Sequence, residues 1–127
     1  MNRQHRAPFE FAGTFVPAGR AAVVELSVPP LVTGARISLP VRVFHGRHDG
    51  PVVWVSAAIH GDEIGGVEIV RRVRARLVPR QLRGTVLSVP IVNVHGFLSG
   101  DRYLPDRRDL NRSFPGSTKG SLASRVA

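Results

Sequence analysis

Residues 52–92 constrain the fold of this chain more than any other stretch. Val52-Val53-Trp54-Val55-Ser56-Ala57-Ala58-Ile59 is rich in β-branched residues and almost continuously apolar. A strand buried on both faces, in the middle of an α/β sheet, reads this way. The run stops at His60-Gly61, and apolar residues then take helical spacing at Ile64, Val67, Val70, Val73 and Leu77, with arginines opposite. Asp62 and Glu63 fall in the expected first turn, where the helix dipole favours negative charge. Pro79 and Gly84 bracket the exit, and residues 85–92 form a further apolar strand. Strand, helix and strand in this order predict a parallel crossover unit.

Upstream, short apolar stretches at 11–15, 21–28 and 35–39 alternate with Gly and Pro, and Val41-Arg42-Val43-Phe44 has the period of a strand. Residues 46–51 carry turn chemistry. Residues 1–10 read as a flexible leader, and 11–127 as part of a single domain. After Asn93 the chain is polar and rich in Gly and Pro through Gly120, without periodicity. So long an irregular segment in a compact domain is usually functional. Residues 121–127 look like the start of a helix. The expected class is therefore α/β: a mixed sheet with helices on its faces, truncated within a domain.

Composition removes several functions. With no cysteine, there can be no disulfide, thiolate metal ligand or cysteine nucleophile. The longest nearly apolar run, 51–59, falls short of the ~20 residues of a membrane helix. No apolar stretch follows the N-terminal Met1-Asn2-Arg3-Gln4-His5-Arg6, so a cytoplasmic protein without a membrane partner is expected. The net charge of +9 comes from 17 Arg and one Lys, Lys119. These charges are scattered, apart from Arg71, Arg72, Arg74 and Arg76 on the polar side of the predicted helix. A solvated face explains that cluster, and nucleic acid is not the expected partner.

His60 and Glu63 begin at the carboxyl end of a strand, where open α/β sheets collect their ligands. An imidazole and a carboxylate three residues apart across a turn can face one ion and supply two of the three protein ligands of a catalytic zinc. A strand-end histidine followed by a helix-start carboxylate explains the same spacing equally well. A second feature lies in the irregular segment: Arg102-Tyr103-Leu104-Pro105-Asp106-Arg107-Arg108-Asp109-Leu110-Asn111-Arg112-Ser113-Phe114-Pro115-Gly116. An Asn-Arg pair can hold a carboxylate, and a further arginine can stabilise an oxyanion. A solvated basic loop is the plainer alternative.

Taken together, His60-Gly61-Asp62-Glu63 with Gly65-Gly66, and Asp109-Leu110-Asn111-Arg112-Ser113-Phe114-Pro115-Gly116, resemble the succinylglutamate desuccinylase/aspartoacylase family, a branch of the zinc carboxypeptidase-like fold. The resemblance takes in the strand before His60, Val89-Pro90-Ile91-Val92-Asn93 and the lead-in from Leu39-Pro40, roughly residues 15–125. It implies the N-terminal part of a catalytic domain that binds one Zn2+ and hydrolyses an amide, or an ester, of an N-acyl amino acid-like small molecule. By position, His60 and Glu63 match metal ligands, and Asn111 and Arg112 match the pair that binds the substrate carboxylate. Arg102 matches the catalytic arginine that contacts substrate and polarises the scissile carbonyl. Because the 102–111 segment is longer than in familiar members, Arg107 is the alternative for that role.

The family pattern puts the third zinc ligand and a general-base glutamate beyond residue 127. These 127 residues alone are thus expected to hold zinc weakly and hydrolyse little. His95 is the best internal candidate for a third ligand, although the family pattern has no ligand there. His45 and His48 are expected at the surface, and Asp62 as a helix-start or outer carboxylate. The competing reading is a non-catalytic binding domain that keeps the scaffold. An unfinished sheet would also expose strand edges, which leaves room for self-association.

Overall fold

The computed structural model describes residues 6–127. A hairpin of β1 (Phe9–Phe11) and β2 (Thr14–Val16) precedes a four-stranded sheet of β3 (Arg20–Val28), β4 (Ile37–His45), β5 (His48–Ser56) and β6 (Arg83–Val89). The order across the sheet is β3-β4-β6-β5. β4 runs antiparallel to both β3 and β6, whereas β5 and β6 are parallel and are joined through helix α1 (Gly65–Arg76). The expected mixed sheet and parallel strand-helix-strand unit are both present.

Alternation decides which side chains form the core. Leu39, Val41 and Val43 of β4 and Leu87 and Val89 of β6 are buried with Val24 and Val16, and Phe9 and Phe11 of the hairpin pack against them. Each such side chain contributes ~1.5–3 kcal/mol by leaving water. The expected strand at 11–15 is instead a hairpin, because Ala12 and Gly13 have φ of 46° and 78° and turn the chain between β1 and β2. The two strands expected at 35–39 and 41–44 are one. Pro40 is tolerated inside it because the ladder with β6 begins only at Arg42.

Of the leader expected over residues 1–10, residues 1–5 lie outside those described. Arg6 is tied down: its Nη1 donates to the carbonyls of Gly46 and Gly84, both at 2.9 Å, and its Nε pairs with Asp49 at 3.1 Å. Phe9 already belongs to β1.

β5 corrects the reading of 52–59 as a strand buried in mid-sheet. Among the described residues it is the outer strand, bonded to β6 alone. Val52, Val53 and Trp54 are 57%, 43% and 49% exposed. An apolar run shows that side chains favour burial, but the cover must come from elements distant in sequence. Here α1 packs against β5 and β6, and Phe11 meets the Trp54 ring at 6.5 Å, which leaves much of β5 open. The strand also starts inside the expected 46–51 turn, at His48, with irregular register up to Val52.

α1 begins at Gly65, so Asp62 and Glu63 occupy the turn before it, and Glu68 is the acid of its first turn. Val70 is buried against the sheet. On the solvent side Glu68 accepts from Arg71 Nε at 2.6 Å and Arg72 Nε at 2.7 Å, so part of the arginine cluster is internally neutralised. The Arg71 hydrogen bond, then that of Arg72, pushes the Glu68 pKa down to about 2. No helix among the described residues is long and apolar enough to cross a membrane.

The segment expected to be irregular from 93 to 120 contains helix α2 (Val94–Ser99) and a 3-10 turn at Leu110–Arg112. Asn93 caps α2 by accepting from the Gly96 N–H at 2.8 Å, and Gly100 ends it at a φ of 68°. Ser121 caps α3 (Leu122–Val126), the helix expected near 121. Leu104, Leu110 and Ala123 form a second buried cluster, with Ile59, Val92, Leu122 and Val126 against it. This cluster holds the 102–116 loop against the ends of β5 and β6.

Candidate functional site

Past the regular ladder, the ends of β5 and β6 are stitched together. Ala57 N–H donates to the Val89 carbonyl at 3.1 Å, Val92 N–H to Ala57 at 3.0 Å and Asn93 N–H to Ala58 at 2.9 Å. Ala58 has a φ of 53°, a strained value for a residue with a side chain, and turns the backbone two residues before His60. Gly61 then passes so close to α2 that a Cβ would overlap the backbone of Gly96, Phe97 and Asp101. The position of His60 thus depends on having no side chain at residue 61.

The buried His60 ring joins the two sequence motifs. Its Nδ1 lies 3.2 Å from Glu63 Oε1, and its Nε2 lies 2.9 Å from Asp109 Oδ1. The Asp109 carboxylate also accepts from the Asn111 N–H at 2.9 Å. The hydrogen bond from His60 is the largest influence holding the Asp109 carboxyl below its ordinary range. The Asn111 amide and the charges of His60 and Arg102 add to it, and burial opposes it. An ionised Asp109 only accepts, so the 2.9 Å contact is a hydrogen bond donated by His60 Nε2, while Nδ1 faces Glu63.

Arg102 closes the group. Its Nη1 is 3.4 Å from Glu63 Oε1, its Nη2 is 3.8 Å from Asp109 Oδ2, and its guanidinium lies 5.9 Å from the centre of the Tyr103 ring. Arg112 Nε is 3.8 Å from Asp109 Oδ2, with the rest of its side chain largely in solvent, and Asn111 is exposed beside it. Arg107 sits at a left-handed φ of 60° and forms no ion pair with Glu63 or Asp109. Of the two candidate arginines, only Arg102 reaches the His60–Glu63 pair.

Two ligands ~2.1 Å from a tetrahedral zinc stand about 3.4 Å apart, so the spacing of His60 Nδ1 and Glu63 Oε1 and their N/O chemistry fit such an ion. Among the described residues no three His, Asp or Glu side chains are grouped to hold a metal, so His95 does not complete the pair. The His95 Nε2 is buried without a hydrogen-bond partner, and burial lowers its pKa. His48 is exposed as expected, and so is Asp62. His45 is not a surface residue. It is buried, with Nδ1 2.8 Å from Thr85 Oγ1 and Nε2 2.9 Å from the Ala7 carbonyl, groups far away in sequence.

Asp109 and Asn93 are the site residues that sequence reasoning passed over. Asp109 opens the 109–116 motif, where no local signal points to a partner 49 residues away. Asn93 had a visible signal, a cap residue seven positions before Gly100.

Residues 49–127 match the family model described as the succinylglutamate desuccinylase/aspartoacylase catalytic domain. The N-alpha-acetyl-L-2,4-diaminobutyric acid deacetylase of Halomonas elongata is 35% identical over 92 residues, which are 72% of this chain and 27% of that protein. The succinylglutamate desuccinylase of Burkholderia cenocepacia is 42% identical over 79 residues, 59% of this chain and 21% of the relative. An aspartoacylase family protein from Mesorhizobium loti superposes with a TM-score of 0.77 at 30% identity, covering 96% of this chain and 38% of that one. The product-bound ectoine utilization protein from Ruegeria pomeroyi gives a TM-score of 0.75 at 29% identity, over 88% and 36% of the two chains. The chain therefore spans about a quarter of the length of the curated relatives it matches.

Proposed function

Because this chain belongs to the succinylglutamate desuccinylase/aspartoacylase family, we propose that it supplies part of a zinc-dependent deacylase site acting on N-acyl amino acids. The observation that carries the proposal is the convergence on His60 of Glu63, three residues away, and Asp109, 49 residues away.

In this reading His60 Nδ1 and Glu63 hold the metal, and Asp109 fixes the orientation and tautomer of the imidazole. Zinc, when bound, supplies Lewis-acid polarisation of the acyl carbonyl and lowers the pKa of water to ~7. Arg102 lies beside Glu63 and donates to the developing oxyanion. Asn111 and Arg112 take the substrate carboxylate, with Arg112 offering a planar fork of donors from the solvent side. The third ligand and the general base come from polypeptide outside residues 1–127. The names of the relatives support an amide-bearing substrate such as an N-acetyl or N-succinyl amino acid.

Zinc titration of the chain tests the metal site. Weak binding that His60→Ala abolishes is expected, and binding indifferent to that change would refute it. A hybrid of the Halomonas deacetylase carrying residues 49–127 in place of its own matching segment tests the chemistry. It should deacetylate with zinc and lose that activity on Glu63→Ala. A folded, zinc-loaded but inactive hybrid would favour the non-catalytic binding domain.

A further inference from the structure

We infer that Arg102 couples the cation site to the substrate site: its contact with Glu63 competes with a cation on the His60–Glu63 pair, and a cation bound there releases it toward the acyl group of an N-acyl amino acid anion. This inference rests on the metal-site reading above.

One oxygen is claimed twice. Glu63 Oε1 lies 3.2 Å from His60 Nδ1 and 3.4 Å from Arg102 Nη1. A divalent ion between Nδ1 and Oε1 would place two positive charges next to the guanidinium that shares Oε1. Both interactions are screened at side chains that are 44% and 63% exposed, but the ion's double charge makes its repulsion of the guanidinium about twice the attraction of a single carboxylate at similar range. The repulsion wins, and Arg102 gives up Glu63.

Once displaced, the guanidinium keeps long contacts inside the protein, to the Tyr103 ring centre at 5.9 Å and to Asp109 Oδ2 at 3.8 Å. His60 and the Asn111 N–H both use Asp109 Oδ1, so Oδ2, the oxygen that Arg102 faces, is shared with Arg112 Nε, also at 3.8 Å. Arg102 then presents its fork of donors at the mouth of the site, where a carboxylate or a polarised carbonyl competes for it with Asp109 Oδ2. The converse follows from linkage: an anion that draws Arg102 off Glu63 must tighten cation binding by the same factor. Arg112 provides the contrast. It carries the same charge, lies as near Asp109 and makes no contact with Glu63.

The test is calorimetric titration of Zn2+ into the wild-type chain, Arg102→Gln and Arg112→Gln, with the first two repeated in N-acetylglycine at matched ionic strength. Arg102→Gln should bind zinc ~3- to 5-fold tighter than wild type, with Arg112→Gln changing by less than half as much. N-acetylglycine should tighten zinc binding to wild type by a similar factor and leave Arg102→Gln unchanged. Equal tightening by both substitutions would reduce the effect to general charge and overturn the coupling. So would zinc affinity in Arg102→Gln equal to or weaker than wild type. If neither wild type nor Arg102→Gln bound zinc at all, the metal site itself would fall, and the coupling with it.

Discussion

β5 and β6 are parallel neighbours of similar apolar character, yet they stand in opposite surroundings. β6 has a strand on each side, and Leu87, Ser88 and Val89 are buried. Among the described residues β5 has one neighbour, and it keeps Val52, Val53 and Trp54 about half open. Both strands lead into the candidate site, β5 through His60 and β6 through Asn93. Local composition therefore sets the wish for burial, whereas sheet order decides whether it is met. His60 is carried by the less protected strand.

The largest difference should appear in unfolding. Leu87→Ala removes a side chain that is 4% exposed and should cost about 2–4 kcal/mol by denaturant titration. Trp54→Ala, despite deleting a bigger group, should cost only about 1 kcal/mol, because half of that surface is already wet. Equal losses would mean that β5 is covered in solution.

Past the strand ends the comparison should sharpen. Gly61→Ala puts a methyl into the backbone of α2 and should cost about 1–3 kcal/mol while weakening zinc binding through His60. Asn93→Ala, on the β6 side, removes the α2 cap and should cost about 1 kcal/mol, with a smaller effect on zinc. Denaturation and zinc titration on the same pair of variants would check this ordering.

Smaller still is a pH effect on α2. Burial holds the His95 pKa below the ordinary histidine value. The unfolded chain takes up this proton near pH ~6.5, whereas the folded chain does so only at lower pH. Between those values the unfolded state binds more protons, so this part of the stability falls as pH drops below ~6.5. His95→Leu should reduce the loss in melting temperature between pH 7.5 and 5.5. A loss unchanged by the substitution would assign it to other groups. The least effect is expected from Glu68→Gln, whose exposed pairs with Arg71 and Arg72 should hardly move the melting temperature.

The crossover unit was legible in sequence because apolar spacing changes period at His60-Gly61, a local signal. His60 and Glu63 were legible for the same reason, being three residues apart across one turn. The outer position of β5 was not, since it depends on which strands pair with β6. Nor was the burial of His45, whose partners Ala7 and Thr85 lie 38 and 40 residues away. α2 was missed because six residues are too few to show a period, although its cap was visible at Asn93. Asp109 needed the folded chain, since only tertiary structure brings it to His60.

Leu104 and Leu110 are both buried in the small cluster under α3, and the residues between them bulge outward around Arg107. The Leu104 N–H also receives support from the Arg108 carbonyl, at 3.3 Å. With both ends pinned, extra residues in this stretch can be extruded into solvent, and even doubling the length of such a loop adds only ~0.6 kcal/mol of closure entropy. Length there is nearly neutral for the geometry of the candidate site, so insertions and deletions can accumulate in the bulge while Arg102 and Asp109 stay in place.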